Sequence, residues 1–456
     1  MPFRYAPHVF TGLLALVPAV APGHAEESVL VAQSMSPRPA ARPGLPVTAA
    51  PIARPEAQIP ASSAQTAPPV PAPRPGAGVA PVVAQAGFDV WVAGFRARAL
   101  DKGVSARTFD AAFHGVTVNA DIIARDRNQA EFSKTLWDYL DSAVSDIRIQ
   151  NGRAALITHG PLLDRIEARY GVDKEVVVAI WGMESNYGTH RGTRPIVESL
   201  ATLAYEGRRA AFFESQLIAA LQILEAGDTD ARHMTGSWAG AMGHTQFMPS
   251  SFLDYAVDFT GDGRRDIWSD DPSDALASTA AYLARFGWQK GQPWGVEVAL
   301  PRGFDYAAAG HDRKRSVADW TRMGVRGLDG GQVPDHGEAA ILLPAGAQGP
   351  AFMIFRNFNV IERYNAADSY VIGVGHLSDR LQGGGAFVQS WPRGDRALAF
   401  AERQELQERL TAAGYPTQGV DGRIGPNTIN AIRSYQVAAG LAADGYPSLL
   451  LLERLR

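Results

Sequence analysis

The sharpest chemical signal in this 456-residue sequence is a glutamate near the end of an apolar helical pattern. In the segment VDKEVVVAIWGMESNYG (172–188), Val177, Ile180 and Glu184 recur at helical spacing and share one face of the predicted helix. Burial and the negative end of the helix dipole both disfavour an ionised carboxylate, so we expect a raised pKa for Glu184. Such an acid is the general acid that glycoside cleavage requires. The alternative is an ordinary exposed glutamate at a helix end.

A second segment, GSWAGAMGHTQFMPSSF (236–252), combines small residues with polar and aromatic ones. Its glycines and alanines surround Ser237 and Gln246 and allow a close approach between backbone and ligand. Trp238, Phe247 and Met248 offer surfaces on which sugar rings can stack. The pattern indicates a glycan-binding loop, with a small-residue seam between packed helices as the alternative.

A third segment, NFNVIERYNAADSYV (357–371), places Tyr364 and Asn365 side by side. Asparagine is a preferred N-cap, so the pair is predicted to begin a helix. Taken alone, capping is a sufficient explanation for this pair.

The run DFTGDGRRDIW (258–268) has the spacing of an EF-hand calcium loop. Asp258, Thr260 and Asp262 occupy loop positions 1, 3 and 5, and Gly263 allows the sharp turn at position 6. Arg264, at position 7, offers its backbone carbonyl. Serine stands at position 12 in place of the usual glutamate ligand. A nearby aspartate therefore has to complete the coordination of the calcium ion: Asp270, Asp271 or Asp274. The sequence favours a structural calcium ion over an Asp/Gly turn that caps the next helix.

The elements that position these residues are mainly helical. Apolar residues recur at the helical period over 126–149, 161–170, 174–184, 197–206, 209–226 and 273–286. Region 295–360 instead has short apolar or alternating runs bounded by Gly and Pro, which predict strands, and helix returns near 366–381. The predicted fold is mainly α with a small β-containing subdomain.

The first 86 residues precede the folded body. Residues 1–25 have a basic start, a short apolar run and small residues before a cleavage point, which is the pattern of a signal peptide. Residues 26–86 are rich in Pro and Ala, with 13 prolines between positions 37 and 81, and cannot form a packed core. We expect an exported protein with an extended linker.

Composition excludes several classes of protein. The formal net charge of −4 argues against a nucleic-acid binder, and the absence of Cys excludes disulfides, thiolate metal sites and a cysteine nucleophile. A lipid anchor needs a cysteine directly after the signal sequence, and the sequence has none. No later stretch has the pattern of a membrane helix. The sequence therefore predicts a soluble periplasmic protein with no membrane anchor, and nothing in it demands more than a monomer.

The order of the motifs WGMESNYG, RRAAFF (208–213), GSWAGAMGHTQFMPSSF and FRNFNVIERYN resembles the soluble and membrane-bound lytic murein transglycosylase B family over 88–382. The resemblance implies a lysozyme-like α-helical catalytic domain over 87–393 and a single catalytic acid/base at Glu184. It implies that a further group of residues lines the sugar cleft: Ser237, Gln246, Tyr364, Asn365, Arg208 and Arg209. It also favours Asp274 as the residue that closes the calcium loop.

The same resemblance implies the reaction. In that family the glutamate protonates the glycosidic oxygen between N-acetylmuramic acid and N-acetylglucosamine, then deprotonates the C6 hydroxyl, which closes onto C1 as a 1,6-anhydro end. A lysozyme-type muramidase that transfers the sugar to water is the nearest alternative. Its second carboxylate has several candidates in the sequence: Glu198, Glu206, Glu214 and Asp254. A non-catalytic peptidoglycan-binding scaffold is the alternative of a different class.

After a linker at 394–401, the tail over 402–456 resembles the peptidoglycan-binding domain 1 module. It is predicted to have three short helices joined by two Asp-Gly turns, GVDGRIGP and GLAADGYP. Its small core is predicted to contain Leu410, Ile424, Ile432, Leu441, Leu450 and Leu455. The implied partners are peptidoglycan glycan strands.

Overall fold

The computed structural model describes residues 81–127 and 135–456. The predicted signal peptide and almost all of the predicted linker lie outside these residues. Helix α1 begins at Pro81, inside the segment that the sequence assigned to the linker. Within the described ranges, no helix has both the length and the apolar composition that crossing a bilayer requires.

Helices form most of the first folded domain. The first nine are α1 Pro81–Asp101, α2 Ala106–Ala112, α3 Ala120–Arg127, α4 Leu136–Ala143, α5 Asp146–Thr158, α6 Gly160–Tyr170, α7 Lys174–Ser185, α8 Ile196–Glu206 and α9 Ala210–Ala226. They are followed by α10 Pro249–Tyr255 and α11 Ser273–Arg285. The helices predicted over 161–170, 174–184, 197–206, 209–226 and 273–286 are thus confirmed. The single stretch expected over 126–149 is wrong, because α4 and α5 are separate helices with the N-caps Thr135 and Ser145.

Within residues 81–127 and 135–456, six short strands make two antiparallel sheets. Strands β1 Arg194–Pro195 and β2 Thr235–Gly236 pair beside the cleft. The subdomain sheet has the order β4-β3-β6-β5, formed by β3 Gly295–Ala299, β4 Arg326–Gly327, β5 Ala340–Leu342 and β6 Ala351–Ile354. This confirms the predicted β region, although helix α12 Val317–Arg322 lies within it.

The chain then returns to helix: α13 Arg356–Tyr364, α14 Asp368–Leu381, α15 Phe400–Ala412, α16 Pro426–Ala438 and α17 Leu449–Leu455. Asn365 is the C-cap of α13, so the prediction that Tyr364 and Asn365 begin a helix is wrong. Asn365 Oδ1 accepts the backbone N–H of Ala367 at 3.1 Å, in the turn before α14. Asn365 thus accepts a backbone N–H as a capping residue would, but it lies in the turn between α13 and α14 and not at the start of a helix.

The described residues form three separate hydrophobic cores: one in the large helical domain, one in the β-containing subdomain and one in the tail. Helix α7 lies in the largest core and is buried from Val176 to Gly182. The subdomain sheet packs around the fully buried Trp320. In the tail, Leu410 and Ile432 are fully buried as predicted, while Leu450 is 63% exposed, so its predicted core position is wrong. Its neighbours in the run of four leucines, Leu451 and Leu452, fill the core instead, because a run of identical residues hides the helical period.

Candidate active site

Glu184 lies at the C-terminal end of α7, where the buried helix meets the solvent-filled cleft. Its side chain is half-buried. The helix stops one residue later because Asn186 and Tyr187 take left-handed backbone conformations with φ of 49° and 59°. The hydroxyl of Tyr187 then donates to the carbonyl oxygen of Arg148 at 2.7 Å, which fixes this turn on α5.

The carboxylate of Glu184 has one side-chain hydrogen bond among the described residues. The hydroxyl of Tyr370 on α14 donates to Glu184 Oε1 at 2.5 Å. Burial raises the pKa of Glu184 to about 7, and the hydrogen bond from Tyr370 opposes this rise because it favours the charged form. Burial also raises the pKa of Tyr139 and of Tyr364, with a smaller contribution from the charge of Glu184 beside them. The direction of the pKa shift agrees with the expectation from the sequence, and burial, one of the two expected causes, accounts for it.

The cleft in front of Glu184 has a volume of about 650 Å³. Among the described residues, Glu184 is the only acidic residue in its wall, which otherwise consists of Arg125, Gly188, Thr189, His190, Arg191, Gly192, Thr193, Arg194, Thr235, Gly236, Ser237, Trp238, Gln246 and Trp268. The two tryptophans give apolar surfaces of the kind on which sugar faces stack. Two tryptophans among several hydroxyl and backbone groups suit a hydroxyl-rich polymer.

Ser237 and Gln246 both reach this cleft, as the sequence predicted. The Ser237 hydroxyl oxygen accepts the backbone N–H of Ala241 at 3.0 Å, and no described residue accepts its hydrogen. Gln246 Nε2 donates to the carbonyl oxygens of Arg191 at 3.0 Å and of Gly243 at 2.8 Å. Because the amide hydrogens are used in this way, the Gln246 oxygen is left as an acceptor. Gln246 has φ of 53°, a strained conformation for a residue other than glycine.

His244 joins the turn that carries Gln246 to the end of α7. Its Nδ1 accepts from Trp181 Nε1 at 3.1 Å, and its Nε2 lies 2.7 Å from the carbonyl oxygen of Ser269. Its own carbonyl oxygen accepts from the Ser185 hydroxyl at 2.5 Å. Burial lowers the pKa of His244. Because Nδ1 accepts a hydrogen bond from Trp181, that nitrogen carries no proton, and the ring serves as a fixed connector. Gly188 contacts the ring so closely that a Cβ there would lie 2.6 Å from it.

Tyr364 supports the same turn from the other side. Its hydroxyl donates to the carbonyl oxygen of Thr245 at 2.7 Å, and its ring packs on Phe247 with centroids 5.7 Å apart. Tyr364 thus lies beside Glu184 without being a wall residue of the cleft. Asn365, directly after it, is not a wall residue either.

Arg208 and Arg209 lie outside the cleft wall. Arg208 forms two hydrogen bonds, of 2.8 and 2.6 Å, with the buried carboxylate of Asp126. The Arg209 guanidinium lies 4.4 Å from the ring centroid of Phe212. The wall is instead lined by other arginines: Arg125, Arg191 and Arg194. A contact between Arg208 or Arg209 and substrate stays a prediction.

Sequence reasoning missed Tyr370 and His244. Tyr370 is 186 positions away from Glu184, and nothing in its local pattern distinguishes it from a core tyrosine. His244 lies inside the predicted glycan-binding loop. The only local sign that it matters is that it is a large residue in a segment of mostly small ones. Both residues act through tertiary contacts that the spacing of residues does not encode.

The aspartates of the predicted calcium loop bond mainly to the backbone. Asp258 accepts the N–H groups of Gly261 and Gly263 at 2.6 and 2.8 Å. The buried Asp274 accepts from Phe259, Thr260 and Asp266 at 2.9, 3.1 and 2.9 Å. In the described part of the chain, no group of three or more acidic or histidine side chains is arranged around one point as a metal would need. The donor types suit an oxygen-binding cation, whereas their arrangement is that of a turn.

A helical domain whose cleft holds one carboxylate with a raised pKa has the arrangement of a lysozyme-like, glycan-cleaving enzyme. Residues 87–379 match the family model of the transglycosylase SLT domain, and residues 401–455 match that of a peptidoglycan binding domain. The chain therefore belongs to the transglycosylase SLT family. This confirms the predicted lysozyme-like fold and the identity of the tail module.

Relatives of known type support the same assignment. The chain is 34% identical over 251 residues to membrane-bound lytic murein transglycosylase B of Escherichia coli (strain K12), a match that spans 53% of this chain and 66% of that protein. It is 50% identical to SltB3 of Pseudomonas aeruginosa in complex with NAG-anhNAM-pentapeptide, with a TM-score of 0.79 over 81% of this chain and 99% of that one. Slt35 of Escherichia coli in complex with calcium is 28% identical, with a TM-score of 0.55 over 65% of this chain and 93% of that one.

Substituting Gly188 tests whether His244 holds the site together. Alanine at Gly188 would push the His244 ring away, and we expect kcat/KM on peptidoglycan to fall at least about tenfold because small misplacements are costly in catalysis. Gly291→Ala is the matched control, since Gly291 also has positive φ (73°) but a Cβ placed there would meet no atom within 4 Å. We expect it to lose about 1 kcal/mol of unfolding free energy and to keep its activity. Equal activity of the two variants would contradict the role of His244.

Proposed function

We propose that this lytic transglycosylase cleaves the β-1,4 bond between N-acetylmuramic acid and N-acetylglucosamine with Glu184 as both acid and base. The observation that carries the proposal is the single carboxylate in the described cleft wall. Hydrolytic glycosidases ordinarily need two carboxyl groups, one of which activates water or attacks the sugar. One group suffices when the substrate supplies its own nucleophile.

The contacts of the four candidate second carboxylates argue against a lysozyme-type muramidase. None of them is in the cleft wall. Three of them bond to residues on neighbouring helices or loops: Glu198 to Asn119, Glu206 to Arg127 and Glu214 to Arg98. Engaged in this way, they are not placed to activate water at the scissile bond.

In the first step, protonated Glu184 gives its proton to the glycosidic oxygen. The bond from that oxygen to C1 of the muramyl residue breaks, and the N-acetylglucosamine end leaves as an alcohol. The acetamide of the substrate assists at C1, and Ser237 is suited to hold it because its hydroxyl hydrogen has no acceptor among the described residues. With a pKa of about 7, about half of the enzyme molecules carry this proton at pH 7, and the proton is released readily.

In the second step, the Glu184 carboxylate takes the proton of the C6 hydroxyl, and the oxygen of that hydroxyl bonds to C1. Glu184 is protonated again, and no water is consumed. The intramolecular attack profits from proximity. Gln246 is suited to orient the sugar, since its free oxygen can accept from a hydroxyl, and Trp238 can stack on a ring face. Three residues outside the cleft wall stay predicted substrate contacts, which a glycan strand longer than the cleft would reach: Asn365, Arg208 and Arg209.

The mass of the products tests this reaction. We expect digestion of purified sacculi to release muropeptides lighter by one water, about 18 Da, than those of a muramidase, because the C6 oxygen replaces water. Glu184→Gln should abolish this release while the protein still binds sacculi. Reducing ends among the products would refute the mechanism, and activity of the Glu184→Gln variant would refute the acid/base assignment.

The pH profile tests the environment of Glu184. Because the acid must be protonated in the first step, we expect kcat/KM to fall as the pH rises through about 7. Tyr370→Phe removes a hydrogen bond that favours the charged form, so the fall should move to higher pH by at least about half a unit. Tyr139→Phe is the control, since Tyr139 lies near Glu184 without a described hydrogen bond to it. Equal profiles for both variants would contradict the role of Tyr370.

We also propose a structural calcium ion in the loop at 258–266, on the basis of its oxygen donors. Asp258, Thr260, Asp262 and the Arg264 carbonyl would supply ligands, and Asp274 would exchange a backbone hydrogen bond for the ion. The ion has no part in the chemical steps. The calcium complex of Slt35 supports the proposal by family likeness.

Thermal unfolding tests the calcium proposal. We expect calcium, added after treatment with EGTA, to raise Tm by a few degrees because a ligand of the folded state stabilises it. Asp262→Ala should lose this response, and magnesium at the same concentration serves as the control ion. An unchanged Tm would mean that the loop is an Asp/Gly turn.

We further propose that the protein is exported to the periplasm, where the tail holds it on the wall. The signal-peptide pattern of residues 1–25 and the peptidoglycan binding domain match over 401–455 support this location. A cleft wall that places a protonatable glutamate with Ser237 and Gln246 argues against a non-catalytic scaffold, which needs no such glutamate.

A further inference from the structure

The tail module makes the same set of hydrogen bonds twice, around its two Asp-Gly turns. In the first copy, Gln407 Nε2 donates to Asp421 Oδ1 at 3.0 Å, and Gln407 Oε1 accepts the N–H of the following glycine at 2.8 Å. In the second copy, Gln436 Nε2 donates to Asp444 Oδ1 at 2.7 Å, and its Oε1 accepts the equivalent N–H at 2.8 Å. In both copies a buried glutamine holds the aspartate by one oxygen and leaves the other oxygen available.

The second copy holds a peptide backbone from outside the tail. Asp444 Oδ2 accepts the N–H of Ala347 at 2.8 Å. Ala347 lies in the short 3₁₀ turn Gly346–Gln348 that connects β5 to β6. Gly346 has φ of 62°, and a Cβ of the L hand there would lie 2.5 Å from Asp444 Oδ2 and 2.6 Å from Tyr446 Cβ. The turn thus binds an N–H that follows a residue with positive φ and no L side chain.

This captured conformation is one that D-amino acids favour. Positive φ is disfavoured for L residues by contacts of Cβ, and the argument reverses for the mirror-image residue. A D residue also places its Cβ on the side opposite to the position that is blocked at Gly346. Peptidoglycan stem peptides contain D residues, so they offer backbone N–H groups in this conformation.

The first copy lacks such a partner within the described part of the chain. Asp421 is exposed, and its side-chain hydrogen bonds to described residues all involve Oδ1. The hydrogen bond from Gln407 holds the pKa of Asp421 below its usual value, so the acceptor is charged at neutral pH. Beside it, Phe400 is 40% exposed and packs closely on Gly422, and Arg423 is exposed. An acceptor, an apolar surface and a cation therefore meet at one exposed turn.

We propose that the Asp421-Gly422 turn is the peptide-binding site of the tail module. Asp421 Oδ2 accepts a backbone N–H that follows a D residue of a stem peptide, as Asp444 Oδ2 accepts that of Ala347. Arg423 pairs with a carboxylate of the same peptide, and Phe400 contacts its methyl groups. The inference rests on the proposed action on peptidoglycan and deepens it, because it assigns the tail to the peptide and the cleft to the glycan.

Cosedimentation with purified sacculi tests the assignment. The full chain carrying Glu184→Gln is the parent, so that the polymer is bound without being cleaved. Adding Asp421→Asn keeps Oδ1 for Gln407 and replaces the free oxygen by a donor, and we expect the Kd to rise at least about fivefold. Asp444→Asn, the matched control, should leave the Kd within about twofold. If Asp421→Asn lowers Tm markedly, Arg423→Ser serves instead, since its described backbone hydrogen bonds do not need the side chain.

Two further arms identify what is bound. On sacculi stripped of peptides by an amidase, parent and Asp421→Asn should bind equally. A soluble pentapeptide ending in D-Ala-D-Ala should displace the parent from intact sacculi, and the same peptide ending in L-Ala-L-Ala should not. Unchanged binding by Asp421→Asn, an equal loss with Asp444→Asn, or a loss that persists on stripped glycan would overturn the inference. The mass of the products of the unsubstituted enzyme reports separately on the proposed reaction.

Discussion

The proposed chemistry of the cleft depends on two opposing effects on Glu184: burial favours the neutral acid, and the hydrogen bond from Tyr370 favours the carboxylate. Burial is the larger effect, so the pKa rises to about 7 and does not rise further. An enzyme that uses one group first as an acid and then as a base needs this intermediate value. A fully solvated glutamate would have lost its proton before the first step, and a buried one without a donor would hold the proton too tightly for the second.

Three elements distant in sequence maintain this position. Helix α7 carries Glu184, the turn at 243–246 is tied to the end of that helix through Ser185 and His244, and α14 brings Tyr370. Tyr364 fastens the same turn from α13. Four described residues other than glycine have positive φ, and three of them lie where these elements meet: Asn186, Tyr187 and Gln246. The fourth, Gln418, lies in the tail. Strain of this kind persists only where the surrounding packing enforces it, which is consistent with a rigid site formed before substrate arrives.

The local part of this arrangement could be predicted from the sequence, and the tertiary part could not. The apolar period over 174–184 predicted a helix found at 174–185, and it placed Glu184 on the same face as Val177 and Ile180, which are buried. Small residues predicted a ligand-binding loop over 236–252, and the family resemblance implied that Ser237 and Gln246 line the cleft, whose wall contains both. The role of Tyr370 leaves no such signal in the sequence, since a tyrosine in an apolar helix looks like any other core residue. Asn365 was misplaced for a related reason: its cap preference was visible, but the helix that ends at Tyr364 was not.

The most direct test of the account is a measurement of the pKa of Glu184 itself. Difference infrared spectroscopy of the protein against Glu184→Gln, over a range of pH, isolates the carboxyl band of this one residue. The account predicts a midpoint near 7 in the substrate-free protein and a higher midpoint in the Tyr370→Phe background. A midpoint near 4.5, the ordinary value for glutamate, would contradict it, because the acid would then be ionised at neutral pH before it could protonate the glycosidic oxygen.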